Sequence, residues 1–394
     1  MRSVDEHRRV VAGLITPRPP VTVAPADALG LVLARDVVAG VALPAFDNSA
    51  MDGYAVYADD VAAADAEHPV RLPVAEDIPA GRTDIPTIAP GTAHRIMTGA
   101  PLPTGATAIV PVEATDAATD VVTIRAASRP GQHIRRAGED VTPGTTVLRA
   151  GQVLTPAALG LVAALGLTGV EVIPRLRVLV VSTGTELVAA GTPLQPGQIY
   201  ESNGVMLAAA VRDAGAEVVA SPTTGDDVAA FREAVRSAGD ADVILTTGGV
   251  SAGAYEVVKD AWTGQVEFVK VAMQPGMPQG AGTVDGTAVI TLPGNPVSSL
   301  VSFEVFVRPA LRAAMGLADV ERPRRTATLR EDLTSPAGKR QFRRGVLEGD
   351  SVTSYGPPAS HHLRWLASAN CLLELDENTT EVAAGSQIQV WDLR

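Results

Sequence analysis

The sequence has a single cysteine, Cys371, among 394 residues. One cysteine excludes an intrachain disulfide and suits a reducing cytosol. On its own it reads as a small buried apolar side chain. Aromatic residues are scarce, at 4%, whereas hydrophobic residues reach 46%, so sizeable cores must be built mainly from Val, Ile, Leu and Ala. Positive charge is also short: 32 basic against 44 acidic residues, a formal net charge of −12. That excludes a general nucleic-acid or anionic-membrane binder, and an anionic ligand then needs a local site. There is no HExxH, no CxxC and no GxSxG around a serine, so neither a zinc site nor a serine triad can be built. The adjacent pair His361-His362 reads as surface or core rather than as metal ligands.

No apolar run opens the chain. "MRSVDEHRRVVAGL" carries charges where a signal peptide needs a hydrophobic stretch. Ser3 and Glu6 have capping-box spacing, and Val4, Val11 and Leu14 can share one helical face. Only Ala157–Ile173 approaches membrane length. Thr155-Pro156 there reads as a helix N-cap and first residue, Gly166 as a stop, and Glu171 and Pro174 follow. A short buried helix and a strand are expected, in a soluble, cytoplasmic protein.

The texture changes along the chain. Residues 1–45 and 131–175 read as helices and strands with apolar faces. Residues 46–130, rich in Pro, Gly, Thr and Val, read as an inserted β-rich domain with many turns. From 176 to 316 the rhythm becomes strand and helix in alternation. "LRVLVVST" is a strand buried on both faces, followed by the helix "SNGVMLAAAVRDAG", the strand "AEVVAS" and the helix "DDVAAFREAVRSAG". The strands "DVILTTGG" and "AVITLPG" and the helices "AYEVVKDAW" and "PVSSLVSFEVFVRPAL" complete the pattern. Such alternation predicts an α/β domain with a largely parallel sheet. Residues 323–394 return to short β runs and predict a separate C-terminal β domain. The fold class expected is a multidomain α/β protein.

In open α/β sheets, ligands bind at the carboxyl ends of the strands. Three strand ends here carry Gly-rich, hydroxyl-bearing loops: "STGTEL" (Ser182–Leu187), "TTGGVSAG" (Thr246–Gly253) and "LPGNPVSS" (Leu292–Ser299). Backbone N–H groups at such turns can cradle an oxyanion, although one such turn alone arises more often for purely steric reasons. Asn295-Pro296 supplies an N-cap and first-turn proline to the last helix. The acids Glu186, Asp226, Asp227 and Glu256 fall in or beside these loops. Beside an anion site they make sense with Mg²⁺ between them and phosphate oxygens; Asp226 and Asp227 equally suit a helix cap.

Six segments occur in order: "LPAFDNSAMDGYAV", "RIMTGAPLP", "RAGEDV", "VSTGTELV", "TTGGVSAG" and "LPGNPVSSLVSFEVFVRPAL". Together, over essentially the whole chain, they resemble the MoeA family of molybdopterin molybdenumtransferases, homologues of the C-terminal region of gephyrin. The resemblance implies an elongated homodimer of four-domain subunits whose α/β domain binds molybdopterin. It implies the last step of molybdenum cofactor assembly: molybdate and adenylylated molybdopterin react with Mg²⁺ present, and AMP is released. The site it implies lies between the α/β domain of one subunit and the inserted β domain of the other. Partners implied are the molybdopterin adenylyltransferase and molybdoenzyme targets, with no nucleic acid and no membrane. The alternative reading is a non-catalytic cofactor-binding paralogue or a gephyrin-like scaffold.

Carried over motif by motif, the resemblance gives catalytic roles to Asp52 of MDGYA, Thr98 of MTGA, Asp140 of GED, Glu186, Asp226 and Glu256. Metal binding falls to Glu186, Asp226 and Glu256. Substrate binding falls to Ser182, Thr183 and Gly184; to Asn203 of "YESN"; and to Gly248, Gly249 and Ser251. It also falls to Pro293, Gly294, Asn295, Pro296 and Ser298, and to Ser360 of the "SH" segment. Asn370 matches the family's following "AN". In the opening stretch, Asp47, Asn48 and Ser49 are expected to shape the turn, and Phe46 and Tyr54 to pack it. The chain departs from the family in having Thr185 where Asp is common, Glu256 where Asp is common, and Gln274 and Met277 where many members have lysines. Lys270, Arg135, Arg136, Arg340 or Arg344 would then have to compensate for the missing charge.

Overall fold

The computed structural model describes residues 1–249 and 257–394. The chain divides into two compact units, Thr22–Val170 and Met1–Val21 together with Glu171–Arg394.

In the first unit, five strands form a sheet in the order Ala108–Pro111, Gly53–Val56, Ala93–Ile96, Val70–Ile78 and Val121–Ile124. Every residue of Gly53–Val56 is buried. Alternation along it feeds two cores: Tyr54 and Val56 join Leu72, Val110 and Ile124, whereas Ala55 joins Ile78, Ile96 and Ile109. Gly53 is required by proximity, since a Cβ there would lie 2.0 Å from the Val110 carbonyl oxygen. Tyr54 is fully buried and donates to the Ala118 carbonyl at 2.9 Å. Asp47 accepts from the Ala137 N–H at 2.8 Å and from Arg136 at 2.5 Å, and Ser49 donates to the Met51 carbonyl at 2.5 Å. Phe46 does not pack this turn: it is 46% exposed. The turn is held by polar contacts, so it needs no aromatic there.

In the second unit, strands run in the order Glu217–Ala220, Arg177–Thr183, Val243–Thr247, Thr287–Leu292, Pro278–Val284 and Val266–Lys270. The first four are parallel, and the last two add antiparallel pairings. Asp285 and Gly286, both at positive φ, turn the Pro278–Leu292 hairpin, as a two-residue Asp-Gly loop does. Expected helices form at Asn203–Asp213, Val228–Ser237 and Pro296–Ser302, the last continuing through a π-helical turn, Phe303–Val307, into Arg308–Ala314. Of the "AYEVVKDAW" helix, Val257–Ala261 lies within the described residues.

The N-terminal helix Val4–Leu14 starts on the expected capping box, with Ser3 and Glu6 exchanging hydrogen bonds. Its Val4 and Val11 share a core with Leu176, Val178 and Leu207. On the same helix His7 is fully buried, edge-on to Phe306 at 4.7 Å. Burial holds its pKa down at about 4, with nearby Arg2 adding to the shift and Glu267 opposing it. The unfolded chain therefore takes up this proton first. Stability is full above the unfolded value of 6.5 and declines as pH falls toward about 4, by about 3 kcal/mol in all. Urea unfolding across that window should show the slope in the wild type and a shallower one in His7→Phe, which keeps the ring contact without the titration.

Residues 324–392 form the C-terminal sheet, in the order Arg340–Glu348, Ser351–Ser354, Arg324–Leu329, Gln387–Asp392 and Cys371–Leu375. The last strand pairs back on the first, closing a small barrel. Met273–Gln274 pairs alongside Arg340–Gln341. Cys371 is buried in the barrel core with Leu373 and Val390, and burial pushes its thiol up to about 12. It is the inert apolar side chain expected.

Candidate functional site

The carboxyl ends of the Arg177–Thr183, Val243–Thr247 and Thr287–Leu292 strands open onto one cleft of about 570 Å³. Eleven of the residues expected at the site line it: Ser182, Thr183, Gly184, Glu186, Asn203, Asp226, Gly248, Gly249, Gly294, Asn295 and Pro296. The loops meet because two glycines let them. A Cβ on Gly248, at φ +94, would lie 2.4 Å from the Thr183 carbonyl oxygen, and one on Gly294 would lie 3.4 Å from the Gly248 Cα. Two expected oxyanion donors are already engaged. The Gly184 N–H donates to Thr224 at 3.0 Å and the Gly248 N–H to Leu292 at 3.3 Å. Strand geometry requires both bonds, so these loops present hydroxyls and side-chain amides more than bare N–H groups.

Side chains complete the cleft floor. Asn203 donates to the Gly294 carbonyl at 2.7 Å and to the Thr247 hydroxyl at 3.0 Å, tying two loops to the start of a helix. Thr247 in turn donates to the Pro293 carbonyl at 3.1 Å. The Asn203 side-chain oxygen is buried with no partner among the described residues, an acceptor left unused while the amide nitrogen makes both donations. Asp226 accepts from the Thr185 hydroxyl at 2.6 Å, while its neighbour Asp227 caps the following helix by accepting from Ala230 N–H at 2.7 Å. Of the two acids, Asp227 is the helix cap and Asp226 lines the cleft. The Glu186 carboxylate folds over Gly184, where a Cβ would stand 2.6 Å from it.

Sequence reasoning missed Glu201, which also lines the cleft. It accepts from the Ser182 hydroxyl at 2.9 Å and the Gly204 N–H at 2.6 Å. Ser202, at the N-cap, makes no side-chain cap bond, because Glu201 takes that N–H instead. An acid next to a helix start was the available signal. Tyr200 of "YESN", Thr247 of "TTGGVSAG" and His361 of the "SH" segment are further cleft residues that were given no binding role in the sequence.

A second pocket of about 390 Å³ shares Gly294, Asn295 and His361 with the cleft. Pro293, Ser298 and Ser360 line it with Gln274. Gln274 accepts from Gln341 at 3.4 Å. Met277 is not part of this lining.

Asp52, Thr98 and Asp140 belong to the other unit. There Asp52 accepts from the Thr98 N–H at 2.6 Å and its hydroxyl at 2.8 Å. These bonds hold the exposed Asp52 carboxyl below its ordinary value, the backbone bond contributing most. Asp140 is exposed. Ser251 and Glu256 lie outside the described residues.

Three of the four arginines proposed to replace missing lysines are engaged elsewhere. Arg340 pairs with Asp5 at 2.9 Å and Glu377 at 3.1 Å. Arg344 is buried and donates to the carbonyls of Ala359, His362 and Pro357. Arg136 pairs with Asp47.

Among the described residues no group of three His, Cys, Asp or Glu side chains is arranged to hold a metal. Mg²⁺ does not need one: it keeps several waters and takes one or two carboxylates plus substrate phosphates. Glu186 and Asp226, hard oxygen donors in one cleft with Glu201, fit that demand.

Three family models match the chain: the MoeA N-terminal region (domains I and II) over residues 2–166, a probable molybdopterin-binding domain over 179–313, and the MoeA C-terminal region (domain IV) over 326–393. Molybdopterin molybdenumtransferase 2 of Mycobacterium tuberculosis is 67% identical, covering 100% of both chains. Molybdopterin molybdenumtransferase 1 of the same organism is 38% identical over 99% of this chain and 98% of its own. The crystal structure of a molybdopterin biosynthesis MoeA protein from Pyrococcus horikoshii superposes with a TM-score of 0.83 at 28% identity, covering 100% of this chain and 99% of that one.

Proposed function

The chain belongs to the MoeA family of molybdopterin molybdenumtransferases, and from that premise we propose how its own residues insert molybdenum during cofactor biosynthesis. The observation that carries the reading is one sheet edge. There, a polar floor of Ser182, Asn203 and Thr247 faces the carboxylates Glu186 and Asp226. Adenylylated molybdopterin occupies the cleft, with Ser182, Thr183, Gly249 and Asn203 donating to or accepting from its polar groups. Gly184, Gly248 and Pro296 shape the wall. Glu186 and Asp226, with Glu256, would hold Mg²⁺, which when bound takes developing charge off the leaving phosphate. Thr185 keeps Asp226 turned into the cleft. Molybdate, the oxyanion substrate, takes the adjoining pocket of Pro293, Ser298 and Ser360. No covalent nucleophile is required for AMP to leave.

The same reading places function in a cytoplasmic homodimer. Its N-terminal domain spans 1–45 and 131–175, its inserted domain 46–130, its α/β domain 176–316 and its C-terminal domain 323–394. Asp52, Thr98 and Asp140 of one subunit would complete the cleft of the other. The adenylyltransferase that makes the substrate and the molybdoenzymes that receive the product are the natural partners.

Subunit mixing tests this directly. Asp52→Ala and Asp226→Ala proteins should each fail to release AMP from adenylylated molybdopterin with Mg²⁺ and molybdate. Randomly reassociated mixtures should regain roughly a quarter of wild-type release, because half the dimers carry one intact site. A wild type that binds the pterin tightly yet releases no AMP at any molybdate concentration would instead favour a cofactor-binding paralogue. Mixtures that stay inactive would count against the shared site.

A further inference from the structure

Two cavities meet at His361, and the charge around them is one-sided. The cleft carries Glu186, Glu201 and Asp226, and the adjoining pocket carries no acid. Among the described residues, no lysine or arginine lines either. The sequence of residues 250–256, VSAGAYE, adds none. His361 lines both and is exposed. It is therefore the one lining side chain able to carry positive charge.

Resting on the reading above, we propose that His361, as imidazolium, is the charged anchor for molybdate in this protein, and that it makes oxyanion binding depend on pH. Neutral groups alone give the second pocket direction without charge. Gln274 is turned by its bond from Gln341, and Asn295, Ser298 and Ser360 add hydrogen-bonding groups. A dianion in that pocket meets only neutral hydrogen-bonding groups apart from His361, and charge-assisted hydrogen bonds are about twice as strong as neutral ones. Histidine is the side chain whose charge changes near neutral pH, so the anchor is switchable where a lysine would be permanent.

The other charged groups near His361 do not supply this anchor. The His362 ring packs edge-on to it at 4.3 Å, and Arg344 is spent on the carbonyls of Ala359 and His362. Arg364 lies over the Trp365 ring at 4.3 Å.

Calorimetric titration of the full-length protein with sodium molybdate at about pH 6.5 and about pH 8 decides the matter. Wild-type affinity should fall severalfold toward the higher pH. His361→Gln should bind about tenfold more weakly at the lower pH and lose the pH dependence. His361→Lys should restore affinity at both. An H361Q protein with wild-type affinity and wild-type pH dependence would overturn the proposal. AMP release separates the two readings. A wild type that binds molybdate in this pH-dependent way but releases no AMP defeats the insertase mechanism while upholding the His361 anchor. Wild-type AMP release with an unaffected H361Q does the reverse.

Discussion

AMP release from adenylylated molybdopterin is expected to fall at least about a hundredfold when Asp226 is replaced by alanine. Asp226 is a cleft acid with a fixed orientation, since the Thr185 hydroxyl donates to it at 2.6 Å and the backbone cap of the next helix is left to Asp227. Its removal takes away a negative charge from a pocket that otherwise keeps Glu186 and Glu201. The useful comparison is Asp226→Asn, which can still accept from Thr185 but carries no charge. If charge is what matters, the amide should be as inactive as the alanine while melting like the wild type. It should also need far more Mg²⁺ for any residual turnover. Near-normal AMP release by the amide, measured by chromatography of the nucleotide, would mean that Asp226 only shapes the loop.

Gly248→Ala should be the most damaging single methyl group that can be added to the site. The residue sits at φ +94, which side chains avoid, and its new Cβ would meet the Thr183 carbonyl oxygen at 2.4 Å. That oxygen is backbone at the end of a central strand, so it cannot swing away as a side-chain tip would. Left-handed strain alone costs about 1–2 kcal/mol; with the clash, about 2–4 kcal/mol of stability should go. Pterin affinity should drop by more than about tenfold, because the Thr247–Gly249 loop can no longer close on the strand end at Thr183. Gly286→Ala is the matched control. It has φ +84 in the hairpin turn but open space around it, so it should show the strain term alone and leave binding intact. Urea unfolding and pterin titration of both variants separate the two effects; equal losses would show that the close approach to Thr183 is not what the site depends on.

How much of this was legible in the sequence follows from which physical signals are local. Continuous apolar runs such as Val178–Val181 announce strands buried on both faces, and Ser3, Thr155 and Asp227 announce the helices they cap. The antiparallel edge of the sheet was hidden because Pro278–Val284 contains Gly280 and Gly282, which break any hydrophobic rhythm. Both are needed there: a Cβ at Gly280 would lie 2.2 Å from the Thr291 hydroxyl, and one at Gly282 would lie 2.2 Å from the Gln265 carbonyl. Phe46 misled because its neighbours in sequence suggested a packed turn, while its surroundings in space are solvent.

The site was legible as motifs but not as partnerships. Glu201, two residues before the first residue of its helix, reaches both Ser182 and Gly204, a link that exists only after the sheet has formed. The arginines nominated to replace absent lysines illustrate the converse. A basic residue near a site in sequence says nothing of its neighbours, and Arg340 and Arg344 are committed to Asp5, Glu377 and three carbonyls.

Gly294, Asn295 and His361 line both cavities, so the two chambers share a border rather than standing apart. A substitution at any of the three alters both linings at once. Changes at Pro293, Ser298 or Ser360 touch the smaller chamber alone, and changes at Ser182, Glu186 or Asp226 the larger one alone. The two seats can therefore be weakened one at a time, without disturbing the neighbouring one.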